Sequence, residues 1–184
     1  NATIASLKDT TGNSQVTLGN ASTLTVNGSL STTYQGQITG NGGGLTKSGV
    51  SRLTLSGVSN YTGVTTLSGG TLTTTVDNAI GSTSAFTMST SAAVVFNLSN
   101  RLEQVGSLSG GDAGGSITLG TGVLTVNQTV PGTFRGTLSS ASSGCGTTGC
   151  GLTLGSESTS TLTLLAPSNT NTYNGPTKIL AGSL

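Results

Sequence analysis

Apolar residues come along this chain in short pulses, two residues apart. "STLTV" (22–26), "SRLTLSG" (51–57), "GVTTLSG" (63–69) and "STLTLLA" (160–166) alternate Leu or Val with Thr or Ser. A period of two places every second side chain on one face of a strand. Thr at the other positions suits an extended backbone through its β-branch, and the Gly, Asn and Ser between pulses supply turns. The nearest approach to helical spacing, "NRLEQVGSL" (100–108), is too short to predict a helix. The pattern predicts many short strands.

The pulses repeat on a longer scale. "IASL" (4–7), "VTLG" (16–19) and "LTV" (24–26) return about 100 residues later as "VGSL" (105–108), "ITLG" (117–120) and "LTV" (124–126). "YQGQI" (34–38) returns as "FRGTL" (134–138), "GLTK" (44–47) as "GLTL" (151–154), and "NYTGVTTLSGGTL" (60–72) as "TYNGPTKILAGSL" (172–184). The offset drifts upward through small insertions, one of which holds Cys145 and Cys150. Self-similarity with elastic turns favours a solenoid, in which each coil touches only its neighbours. The expected fold class is all-β, a right-handed parallel β-helix (β-solenoid). Coils of about 20–25 residues would give some eight rungs and a rod about 40 Å long. The expected organisation is one β-helix over 1–184, with long repeats at about 4–100 and 105–184 and repeat motifs at 42–72 and 149–184.

Composition narrows the function. Charged residues are 6% of the chain against about 25% in ordinary globular domains, and Thr and Ser together make about a third. The net charge of +1 comes from six scattered basic residues, Lys8, Lys47, Arg52, Arg101, Arg135 and Lys178. Nucleic-acid binding needs them clustered, so none is expected. No apolar run approaches the roughly 20 residues of a membrane-spanning helix, so this piece is not expected to insert in a membrane. Asn1 opens no signal peptide, and the chain reads as a piece of a longer one.

The stretch from Gly42 to Leu72 resembles the passenger-associated transport repeat, or autotransporter-associated β-strand repeat, of Gram-negative autotransporters. The pattern is met at Gly44, Leu45, Thr46, Lys47, Gly49, Leu53, Leu55, Gly57, Tyr61, Gly63, Thr65, Gly70 and Leu72. It is met again at Gly151, Leu152, Thr153, Leu162, Leu164, Tyr173, Gly175, Thr177, Gly182 and Leu184. The second copy departs from the first where Leu154 replaces Lys and Ala166 replaces Gly. The resemblance implies a secreted or surface-displayed β-helical passenger, exported through a C-terminal outer-membrane barrel in the parent chain. Family members include adhesins and other virulence factors, and the repeat is associated with folding and export. Self-association or a host or cell-surface ligand is then the expected kind of partner. A purely structural spacer and a glycan-binding module are the alternatives.

Catalysis is not expected: there is no His, and the five acids (Asp9, Asp77, Glu103, Asp112, Glu157) are dispersed. Asp9 and Asp112 follow "SL" in the two copies and read as turn residues far apart along the rod. Cys145 and Cys150 suit a local disulfide; two free thiols are the alternative, and a metal site lacks His and further Cys partners. "GGDAGGS" (110–116) has too few oxygens for calcium. No cofactor is expected. Tyr61 and Tyr173 read as core caps at a turn, with sugar stacking as the alternative. Thr doublets fall at irregular intervals in the sequence, so the long, flat, in-register ladder of Thr-x-Thr rungs that ice binding requires is not expected.

Overall fold

A computed structural model describes all residues except 113, 142, 146–148 and 167–170. The described residues form parallel strands and no helix, wound into eight three-sided coils. The first face stacks Ala2–Ile4, Thr23–Val26, Gly44–Lys47, Thr65–Leu67, Ala85–Met88, Ser107–Gly110, Gly132–Phe134 and Leu162–Leu164, in that order. The second stacks Thr32–Tyr34, Arg52–Leu55, Gly70–Thr74, Val94–Asn97, Ser116–Thr118 and Thr137–Ser139, with isolated bridges from Asp9 to Tyr34 below and Ser139 to Thr172 above.

The third face is broken in the middle. Gln15–Thr17 pairs with Gln37–Thr39, and Leu102–Val105, Val123–Val126, Leu152–Leu154 and Thr177–Ile179 form a separate sheet. Between them, residues 59–62 and 78–81 cross the same side without strand pairing, held by single bonds such as Asn60 N to Ile38 O (3.0 Å) and Asn78 N to Leu102 O (3.0 Å).

Coil length is set by the register. Partners Ala2–Leu24, Leu24–Leu45, Leu45–Thr65, Thr65–Phe86 and Phe86–Leu108 lie 20 to 22 residues apart, and Gly132–Leu162 stretches to 30. The extra residues lie largely in the corner loop that carries Cys145 and Cys150. Inward residues pile into columns: Leu53, Leu72, Phe96, Ile117 and Leu138 stand one above another on the second face, all buried. The Phe86 and Phe96 rings stack across the core with centroids 4.5 Å apart. No single coil could bury this stripe; stacking makes it continuous.

The two long repeats do not occupy the same faces. Thr23–Val26 lies on the first face, and its counterpart Val123–Val126 on the third. Arg52–Leu55 is on the second, and Leu162–Leu164 on the first. Thr65–Leu67 is on the first, and Thr177–Ile179 on the third. One unit thus advances four coils and two further faces, fourteen strand positions at three to a coil. Since fourteen is not a multiple of three, every strand of the second unit lands one face away from its counterpart. The unit that recurs in sequence is strand plus turn, and the face follows only from how many strands precede it. Asp9 and Asp112 are likewise not at the same place: Asp9 bridges Tyr34, whereas the equivalent partner of Phe134 is Gly110, two residues before Asp112.

Candidate functional site

The repeat residues build corners. Tyr61 ends its pass along the third face, the chain turns through Gly63, and Thr65 opens the next first-face strand. The Tyr61 hydroxyl lies 2.7 Å from Thr65 Oγ1, which lies 2.7 Å from Ser84 Oγ; Ser84 Oγ donates to Gly63 O at 2.6 Å. All three side chains are buried, and burial pushes the Tyr61 hydroxyl above the ordinary tyrosine range. The second repeat forms the same clasp one face round, Tyr173 to Thr177 at 2.6 Å. A side chain at Gly63 or Gly175 would overlap the backbone of the coil below, at Gly43 or Gly149. Gly70 and Gly182 take φ of +65° and +75°, a conformation that suits glycine. With its ring fully enclosed, Tyr61 offers no platform for a sugar.

Leu45, Leu53, Leu55, Leu72, Leu152 and Leu162 are buried core residues. So is Lys47, 1% exposed, stacked between Val26 and Leu67. Its ammonium donates to the carbonyls of Gly49 and Gly69 (3.2 Å to the latter), and desolvation lowers its pKa. Gly49 and Gly57 sit against the backbone of Gly28 and Gly36. Leu164 and Leu184 belong to the last coil, where Leu184 is 44% exposed.

What faces solvent is a hydroxyl ladder. On the first face Thr3, Thr25, Thr46, Thr66, Thr87 and Ser109 are register partners in sequence, and Thr133 and Thr163 continue the column. The irregular sequence intervals between these residues absorb unequal turns, and the rungs fall in register at about 4.8 Å. The column is single: two residues earlier stand Thr23, Gly44, Val64, Ala85 and Ser107, so it is not a ladder of Thr-x-Thr rungs. Among the positions two residues to either side of the column, Arg135 is the single charged side chain; its Nε lies 3.5 Å from Asp112 Oδ1. The second face carries a shorter polar column, Thr33, Thr54, Thr73, Asn97, Thr118 and Ser139.

The acids do not assemble a catalytic pair in a cleft. The Asp9 carboxylate accepts bonds from Thr11 N (2.9 Å), Thr11 Oγ1 (2.8 Å), Gly12 N (3.0 Å) and Ser14 Oγ (2.8 Å), which hold its pKa well below the usual range. Glu157 accepts from Asn127 Nδ2 at 3.0 Å beside a polar hollow of about 110 Å³, also lined by Ser82, Thr83 and Thr129. Asp77 and Glu103, far apart in sequence, come together in adjacent coils: Asp77 accepts from Leu102 N at 3.0 Å, and Glu103 points into the core. The period-two parity set by buried Val105 was the signal for that inward acid; it also turns Leu102 outward, 54% exposed.

Among the described residues no group of metal-ligating side chains is present. Cys145 and Cys150 are joined in a disulfide within the corner loop, Cα atoms 5.3 Å apart. No helix among them is long and apolar enough to cross a membrane, which leaves membrane crossing by strands untouched.

The family described as Passenger-associated-transport-repeat matches residues 45–73 and 158–184. The chain carries two passenger-associated transport repeats. These are repeats of autotransporter passengers, and with the β-solenoid they support an autotransporter passenger segment. Gly44 lies one residue before the first matched stretch, and Gly151 and Leu152 lie seven and six residues before the second; Gly44 and Leu152 each open a strand. Comparison with curated proteins and with solved structures finds no match.

Proposed function

We propose that this segment is a non-enzymatic stalk and adhesion module of a passenger displayed on a Gram-negative cell. Its repeats aid folding and export through a C-terminal outer-membrane barrel in the parent chain. The observation that carries the reading is the hydroxyl ladder: eight rungs of Thr and Ser in one column, with a single charged side chain beside it. Such a face can meet a second rod without like-charge repulsion. The repeat residues, by contrast, point into corners and core, where they serve stacking. Folding outside the cell would then draw on the burial of the Leu, Ile, Val and Phe columns.

Sedimentation velocity over a hundred-fold concentration range tests it, with circular dichroism to confirm β content. Reversible growth in size, lost when Thr46 and Thr66 are replaced by Lys, supports adhesion between rods. An elongated monomer at every concentration leaves the stalk alone.

A further inference from the structure

Glu103 stands where two structural facts meet. It points into the core, 1% exposed, in the column that Leu124 and Leu152 continue above it. Beneath it the third face is broken, and residues 78–81 have no strand ladder to satisfy their backbone. The carboxyl fills that gap: Ala79 N donates to Oε1 at 3.0 Å and Ile80 N to Oε2 at 3.4 Å. One side chain of the fifth coil thereby holds the backbone of the fourth.

No cation compensates it. Lys47 donates to the carbonyls of Gly49 and Gly69, Arg135 faces Asp112, and among the described residues no ion pair includes Glu103. The groups that face it are the Asp77 carboxylate, whose charge opposes a second one, the neutral Tyr61 hydroxyl from the third coil, and the Thr74 hydroxyl. Thr74 Oγ1 lies 3.4 Å from Leu98 O and also reaches the carboxyl, where its bond, like those of the two amides, favours the ionised form without offsetting the cost of burial. A protonated Glu103 accepts from both amides at no cost in buried charge; an ionised one keeps those donors but is a charge without a cation in an apolar column.

We propose that Glu103 is a proton-operated clasp between the fourth and fifth coils, closed when the carboxyl is protonated and loosened when it ionises. Desolvation, partly offset by the Ala79 and Ile80 amides, raises its pKa from 4.5 to about 7. The folded chain therefore holds a proton that the unfolded chain lacks over that interval. Its stabilisation is complete below the interval and is lost as pH rises through it. The solenoid tightens at its middle in mildly acidic surroundings and loosens there toward the alkaline side.

Calorimetry of the whole chain from about pH 5 to about pH 8 is the test, with Glu103→Gln as the permanently neutral variant. The wild-type melting temperature should fall by several degrees across the range while that of Glu103→Gln stays level. A level wild type, or an equal slope in the variant, overturns the clasp. Should Glu103→Gln fail to fold, the carboxyl carbon of Glu103 can be followed by NMR in the wild type. A midpoint near neutrality supports the clasp, and one at or below that of an exposed glutamate overturns it. Amide exchange of Ala79 and Ile80, corrected for intrinsic rate, should accelerate through the same midpoint; uniform exchange across the range counts against it.

Discussion

The hydroxyls of Tyr61 and Thr65 lie 2.7 Å apart inside the core, across a corner that the chain turns in four residues. Thr65 also meets Ser84 at 2.7 Å, so the contact is one link in a buried chain. Tyr61→Phe deletes one hydroxyl and leaves Thr65 bonded to Ser84. The expected loss is about 1 kcal/mol. Thr65→Val removes the 2.7 Å hydroxyl partner of Tyr61 and breaks the chain to Ser84, and should cost about 2–3 kcal/mol. At the exposed Tyr173–Thr177 clasp the change Tyr173→Phe should move stability by less than about 0.5 kcal/mol. Urea unfolding of the three variants gives the order, and equal losses at all three would refute the buried-chain account.

Lys47 occupies a place that the second repeat gives to Leu154, each 1% exposed. Its stem packs between Val26 and Leu67, and its ammonium reaches only backbone carbonyls. Replacing an unpaired buried charge by an apolar side chain of similar size is often neutral or stabilising. Lys47→Leu should therefore fall within about 1 kcal/mol of the parent, whereas Lys47→Ala, which opens a cavity, should cost about 2–3 kcal/mol. Should Leu prove as damaging as Ala in denaturant titrations, the carbonyl bonds matter more than the stem.

Coil length and the solenoid were legible because strand period and long-range self-similarity both survive in sequence. The glycine, tyrosine and threonine of each corner were legible as a motif, though not as a hydrogen-bonded clasp. Three features were hidden. The ladder was hidden because Thr46 and Thr66 are 20 residues apart while Thr133 and Thr163 are 30; only the register equalises them. The inward Glu103 was hidden because Leu102 is the obvious core candidate, and parity with Val105 overrules it. The one-face rotation was hidden because equivalent strands look alike on whichever face they land.

The disulfide lies within one corner loop and joins no two coils. Cys150 is anchored separately, its amide donating to Thr121 O at 3.2 Å, and the register of Leu152 with Leu124 needs no covalent help. Closing so small a ring contributes roughly 2 kcal/mol through the unfolded chain. Reduction should therefore lower the melting temperature by about 4–8 °C and leave the β signal in circular dichroism unchanged. Loss of that signal at room temperature would show that the loop organises the coils around it.

The rotation of the second repeat can be read directly by cross-linking. Gln104 is the sequence counterpart of Thr3, which stands in the first-face ladder. In the folded chain Gln104 instead pairs with Thr125 on the third face, and Ser109 is the first-face partner of Thr87. Neighbouring rungs lie about 4.8 Å apart, within the Cα separation a disulfide spans. In a background lacking Cys145 and Cys150, the pair Thr87→Cys and Ser109→Cys should cross-link on mild oxidation. The pair Thr87→Cys and Gln104→Cys, which would be neighbours if the second repeat began on the same face as the first, should not. The control pair Thr66→Cys and Thr87→Cys, partners in the first-face ladder, should cross-link in either case. The reverse result for the two test pairs would place the repeats on common faces. A new unit would then have to span whole coils, and insertions would be counted against the coil. With the rotation, each added unit turns the repeat to another side of the rod, and three units bring it back to the first.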